Sequence, residues 1–181
     1  MNQTAQHLKE TNIAEYLIYM WQEEDLIRAN HSNMEEIEAN VIARYPEEQR
    51  PALREWYSNL ITMMCEEGVK DTGHLQINKN IIIQLTELHQ ALAASPQFPF
   101  YSAAYYKALP YIVELRNKSG KMDEAELETC FEALYGLLLL RLQNKSVGEE
   151  TTKAVATISN YLSMLANYFD KERKGELKFD E

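Results

Sequence analysis

The chain has 181 residues, 45% of them hydrophobic and 25% charged, and its 28 acids against 18 bases leave a net charge of −10. This is ordinary globular usage at a length that suits one domain, and the negative field argues against nucleic acid and anionic membranes as partners. With only 6 Gly and 5 Pro there is little material for sheet turns, so the composition favours helices.

Capping residues, breakers and a 3.6-residue apolar period together predict about seven helices joined by short loops. The first spans 5–30. Its leader, MNQTAQHLKETN, has no basic region followed by an apolar one, so no signal peptide is expected and the protein is read as cytoplasmic. The second, 33–45, is expected to open with the capping box Ser32-x-x-Glu35 and to close at Pro46. The third, 48–67, has Pro51 in its first turn, stops at Gly68, and carries the stripe Leu53, Trp56, Tyr57, Leu60 and Met64. The fourth, 73–94, places Ile77, Ile81, Leu85, Leu88 and Leu92 on one face.

The fifth helix, 99–117, reads FPFYSAAYYKALPYIVEL, and Pro110 inside its pattern predicts a kink. On it Tyr101, Ala104, Tyr105, Ala108 and Ile112 share a face, while Tyr106 and Tyr111 look elsewhere. The sixth, 123–145, is expected to begin with Asp123-x-x-Glu126 and to bury Leu127, Phe131, Leu134 and Leu138. The seventh, 148–171, has the clearest seam, Thr151, Val155, Ile158, Leu162, Leu165 and Phe169, which calls for a partner helix. Residues 172–181 read as a frayed tail. The fold expected is all-α, a single-domain antiparallel helical bundle. The stretch from Leu88 to Tyr106 lacks Asp, Glu, Lys and Arg, but its prolines and polar residues rule out a membrane span. Cys65 and Cys130 form no Cys-x-x-Cys pair and read as reduced thiols.

The residues IAEYLIYMWQEEDLIRAN, 13–30, set three consecutive acids inside an apolar stripe. At 100° per residue Ile13, Leu17, Met20 and Ile27 face one way with Glu24 among them, Glu23 falls near the rim and Asp25 points away. A buried carboxylate must be paired, hydrogen-bonded or protonated. Arg28, one turn on, is the nearest candidate partner, His31 lies further along the same side, and Arg141 is a second counter-ion from the sixth helix. His89 and Asn78 lie at the edge of the fourth helix's stripe. Glu24, Arg28, His89, Arg141 and Tyr105 are therefore the candidate lining of a polar pocket. No metal or cofactor is expected: there is no Glu-x-x-His, no His-x-x-x-His and no glycine-rich phosphate loop or nucleophile elbow, and Asp71-x-x-His74 straddles Gly73 in a loop.

The first-helix segment NIAEYLIYMWQEEDLIRAN and the segment FYSAAYYKALPYIVELRNKS resemble a family of Bacteroidota proteins grouped as a domain of unknown function. The resemblance extends over essentially the whole chain. It implies a bacterial, cytoplasmic, helical protein, and it brings no catalytic residue with it. Two functions follow from the residues. The first is a non-enzymatic helical module that self-associates or binds a protein partner; the alternative is a small-molecule or enzymatic site around Glu24.

Overall fold

The computed structural model describes residues 2–121 and 124–179. All regular structure among them is helical: eight α-helices, α1 (Gln3–Thr11), α2 (Ile13–Ala29), α3 (Met34–Asn40), α4 (Arg50–Glu66), α5 (Gln76–Ala94), α6 (Pro99–Ser119), α7 (Glu126–Leu142) and α8 (Glu149–Arg173). Two 3-10 turns, Ile42–Arg44 and Glu47–Gln49, join α3 to α4. The chain divides into two compact units, one up to Ile81 and one from Ile82 onward, with the boundary inside α5.

In the first unit the expected helix 5–30 is two helices. Asn12 is extended (φ −154°, ψ 95°), and its side chain accepts from the backbone N–H groups of Ala14 and Glu15. Asparagine competes poorly inside a helix and well at its start, so it ends α1 and caps α2. The same preference moves the next cap by one residue. Ser32 sits in the left-handed region (φ 55°) and cannot serve as an N-cap, so Asn33 does, accepting from Glu35 and Glu36. Around α2 pack α1 and α4, and α3 packs on α4. The α4 stripe is buried as the spacing predicts, Leu53, Trp56, Tyr57, Leu60 and Met64 all being inside. Gly68, in the left-handed region, follows the helix end.

In the second unit α6, α7 and α8 pack on one another. α6 runs through Pro110 as one helix and stops before left-handed Gly120. α8 buries Val155, Ile158, Leu162 and Leu165 as its seam predicts, together with Tyr161 and Ala166, whereas Thr151 is exposed. α7 turns a different face inward: Leu127 and Phe131 are buried with Cys130, Tyr135 and Leu137, while Leu134 and Leu138 are only half-buried. A helix this rich in leucine has no unique apolar stripe, so its neighbours choose the face. The cap proposed at Asp123 lies outside the described residues. After α8 the chain returns far enough for the ring of Phe179 to meet Phe98 edge-on at 5.4 Å.

Candidate functional site

Glu24 is fully buried and has three donors on its two oxygens. Oε2 accepts from Nδ1 of His74 at 2.6 Å; Oε1 accepts from the backbone N–H of Leu75 at 3.0 Å and from Nδ2 of Asn78 at 2.7 Å. The carbonyl of Leu75 accepts from Asn78 and Lys79, so Leu75 stands at the head of α5. The carboxylate of α2 thus lies at the positive end of another helix, which stabilises a negative charge there. Glu67 takes the next free N–H, that of Gln76, at 2.7 Å from the exposed side. The ring of His74 stacks on Trp21, centroids 4.0 Å apart and planes 11° from parallel. Stacking and hydrogen bond together hold one edge of the imidazole against the core, while its side chain stays 22% exposed.

Arg28, expected to neutralise Glu24, does something else. Its guanidinium pairs with Asp25 at 2.7 Å and donates to the carbonyls of Val69, at 3.0 Å, and Gly73. It ties down the loop that delivers His74, so it acts on Glu24 only through that loop. Of the three consecutive acids, Glu23 is also buried, although the wheel put it at the rim. The hydroxyl of Tyr57 donates to its Oε2 at 2.7 Å and Tyr19 bonds the same carboxyl; Tyr19 in turn accepts from Asn2 at 2.8 Å. Burial raises the Glu23 carboxyl above its ordinary value, against the opposing pull of the two tyrosines. Burial and the neighbouring Glu23 charge push the Tyr19 and Tyr57 hydroxyls far up, so both stay protonated donors.

His89, Tyr105 and Arg141 lie in the second unit. Nδ1 of His89 is 2.7 Å from the Tyr101 hydroxyl and 2.9 Å from that of Tyr161. The Tyr105 ring meets the imidazole edge-on at 4.5 Å. Burial lowers the His89 pKa, with the charge of Glu126 working the other way, so the site favours the neutral ring. Tyr105 donates to Glu126 at 2.9 Å, and its hydroxyl is pushed up to about 12, chiefly by burial and then by Glu126. Cys130 lies buried nearby, its thiol raised by burial first and by Glu126 second. Arg141 is exposed at the end of α7. His31 is exposed and bonds Glu36 at 2.9 Å.

Of the five residues proposed for one pocket, therefore, Glu24 is satisfied by His74, Leu75 and Asn78, none of which was among them. Asn78, expected at the edge of the α5 stripe, is fully buried, whereas Ile77, expected on the stripe, is 40% exposed. His74 lies in a loop where no periodicity points, and its one signal was the polar spacing Asp71-x-x-His74. Three polar clusters lie inside the chain: a carboxylate heading α5, a second carboxylate between two tyrosines, and a histidine between two tyrosines; in the first of them Oδ1 of the buried Asn78 has no hydrogen-bond partner. α6 exposes Phe100 (82%), Tyr106 (64%) and Val113 (43%), with Ala103, Lys107 and Pro110 between them.

The eight packed helices define the class, an all-α protein in which no described helix is long and apolar enough to cross a membrane. The chain belongs to the family described as Domain of unknown function (DUF4924), which matches residues 2–176. Comparison with curated proteins and with solved structures finds no match.

Proposed function

We propose that the protein is a helical association module that acts by docking through the exposed face of α6. What supports this is one observation: α6 leaves three large apolar side chains in solvent, Phe100 in its first turn and Tyr106 and Val113, seven residues apart and so nearly in line, further along. An isolated exposed apolar residue needs no explanation, but an aromatic-bearing row along a helix is the pattern of helix-mediated recognition. The aromatic anchors match the residue types that dominate interface energetics. By contrast Glu24, the basis of a ligand-site reading, already spends its acceptors on its own chain. In this reading the module works in a bacterial cytoplasm, as the family resemblance and the two free thiols suggest, and its partner is a protein rather than nucleic acid or membrane.

The test is native size. In gently lysed cells that make it, the chain should elute well above its 21.0 kDa monomer mass. The double variant Phe100→Glu/Tyr106→Glu should elute as a monomer with unchanged helicity. A wild-type chain at monomer size, or a variant that keeps the larger size, overturns the reading.

A further inference from the structure

Leu26 and Asn30 on α2, Asn40 at the end of α3, Val41, and Arg44 and Tyr45 at the 3-10 turn that follows surround an open pocket of about 310 Å³. That is the small end of the range for ligand sites, about 300–1,000 Å³. All six residues belong to the first unit. The pocket is anchored from two sides. Asn30 is 6% exposed and both ends of its amide are used: Nδ2 donates to the Leu26 carbonyl at 2.8 Å, and Oδ1 accepts from Nδ2 of Asn40 at 2.8 Å, which ties α2 to the end of α3. Arg50 grips the backbone on either side of Arg44, donating from Nε to the Tyr45 carbonyl at 2.9 Å and from Nη2 to the Ala43 carbonyl at 3.0 Å. The segment that presents Arg44 and Tyr45 is therefore fixed without using either side chain.

Those two side chains carry the chemistry of the site. Among the described residues none pairs with the Arg44 guanidinium and none bonds the Tyr45 hydroxyl. Arg28, Arg50, Arg54, Arg116 and Arg173 all have protein partners, so a free guanidinium beside a concave surface sets Arg44 apart. None of the six lining residues is acidic, although acids outnumber bases 28 to 18 in the chain. The pocket thus offers one positive charge, a phenol and the second N–H of the Asn40 amide beside the half-buried apolar side chains of Leu26 and Val41. A cation would find no counter-charge there. An arginine fork matches a carboxylate in shape and takes it through two parallel bonds. The ring of Tyr45, 38% exposed, offers a flat apolar face to an aromatic body.

We infer that this pocket binds a small aromatic carboxylate, its anionic group on Arg44 and its ring against Leu26, Val41 and Tyr45. The site shares no residue with the exposed face of α6 and does not depend on the docking reading. The probe is 2-naphthoate, titrated into the full chain and followed by nitrogen-15 NMR, with 2-naphthamide as a neutral analogue of the same shape. 2-Naphthoate should saturate with a Kd of about 1 mM or tighter. It should move the side-chain amide signals of Asn30 and Asn40 and the backbone signals of Arg44 and Tyr45. 2-Naphthamide should bind about tenfold more weakly, the factor expected for losing a charge-assisted pair at an open site.

Arg44→Gln should weaken 2-naphthoate by about the same factor and leave 2-naphthamide unchanged. Helicity and Tm should stay as in wild type, because the Arg44 side chain is exposed and unpaired. Phe100→Glu should leave binding intact, which separates the pocket from adsorption to the apolar side chains of α6. Four results would each overturn the inference: no saturation up to about 10 mM, equal affinity for acid and amide, a loss on Arg44→Gln that the amide shares, or signals that move on α6 instead of around Asn30 and Asn40.

Discussion

Replacing Glu24 by alanine removes at one stroke the acceptor for three donors, and the structure sets the scale of the loss. Leu75 and Asn78 are fully buried, so their N–H groups have no water to turn to. An unsatisfied buried donor costs about 1–3 kcal/mol, and truncating one side of a buried charged contact costs about 3–5 kcal/mol. We expect Glu24→Ala to cost about 4 kcal/mol, a Tm lower by roughly 8–16 °C for a chain of this length. Glu24→Gln keeps the volume and one acceptor oxygen for Leu75 and Asn78, and exchanges only the charge-assisted bond to His74, so it should cost about 1–2 kcal/mol. Asp25→Ala, one residue on, breaks a solvent-facing pair whose carboxylate side chain is 44% exposed and should cost under about 1 kcal/mol. Urea unfolding followed by tryptophan emission is the assay, because both tryptophans, Trp21 and Trp56, lie before Ile81 and Trp21 is stacked on His74. An alanine variant within about 1 kcal/mol of wild type would refute the clamp. A glutamine variant as unstable as the alanine one would show that charge, rather than the bonds drawn here, does the stabilising.

The neighbouring acid and the histidine cluster should respond to pH in opposite directions. Glu23 has a folded pKa raised by burial, so its contribution is fully present below the ordinary carboxylate value of 4.5 and is lost as pH climbs through the raised one. Wild type should therefore lose ground to Glu23→Gln as pH goes from about 4 to 8 in parallel urea titrations, and a gap moving the other way would contradict the burial argument. His89 has a folded pKa lowered from 6.5, so its contribution is present above that value and fades as pH falls through the lower one. The stability advantage of wild type over His89→Gln should shrink between about pH 7.5 and 5, and a constant advantage would mean the imidazole does not titrate against its two tyrosines.

Residue patterns on single helices determined a good deal of this protein. Apolar period and caps placed α4 to α8 to within a few residues but ran α1 and α2 together, and the α4 stripe and the α2 line through Ile13, Leu17, Met20, Glu24 and Ile27 are buried as their spacing requires. Those features depend only on intervals within one helix, where 100° per residue carries position into direction. The interval also explains why Glu24, alone of the five pocket candidates, was legible as fully buried. Tertiary structure decided who answers that carboxylate. His74 arrives from a loop fifty residues on, held by an arginine that had seemed the obvious counter-ion, and no local period encodes a meeting of that kind. It also decided that Glu23 goes inside, because Tyr57 of α4 and Tyr19 supply donors that make its burial tolerable. In the same way the leucines of α7 share their burial according to the neighbours α6 and α8, and the outer arc of α6 stays in solvent because no described part of the chain covers it. Direction within a helix is a local property of the chain; company across helices is a property of the fold.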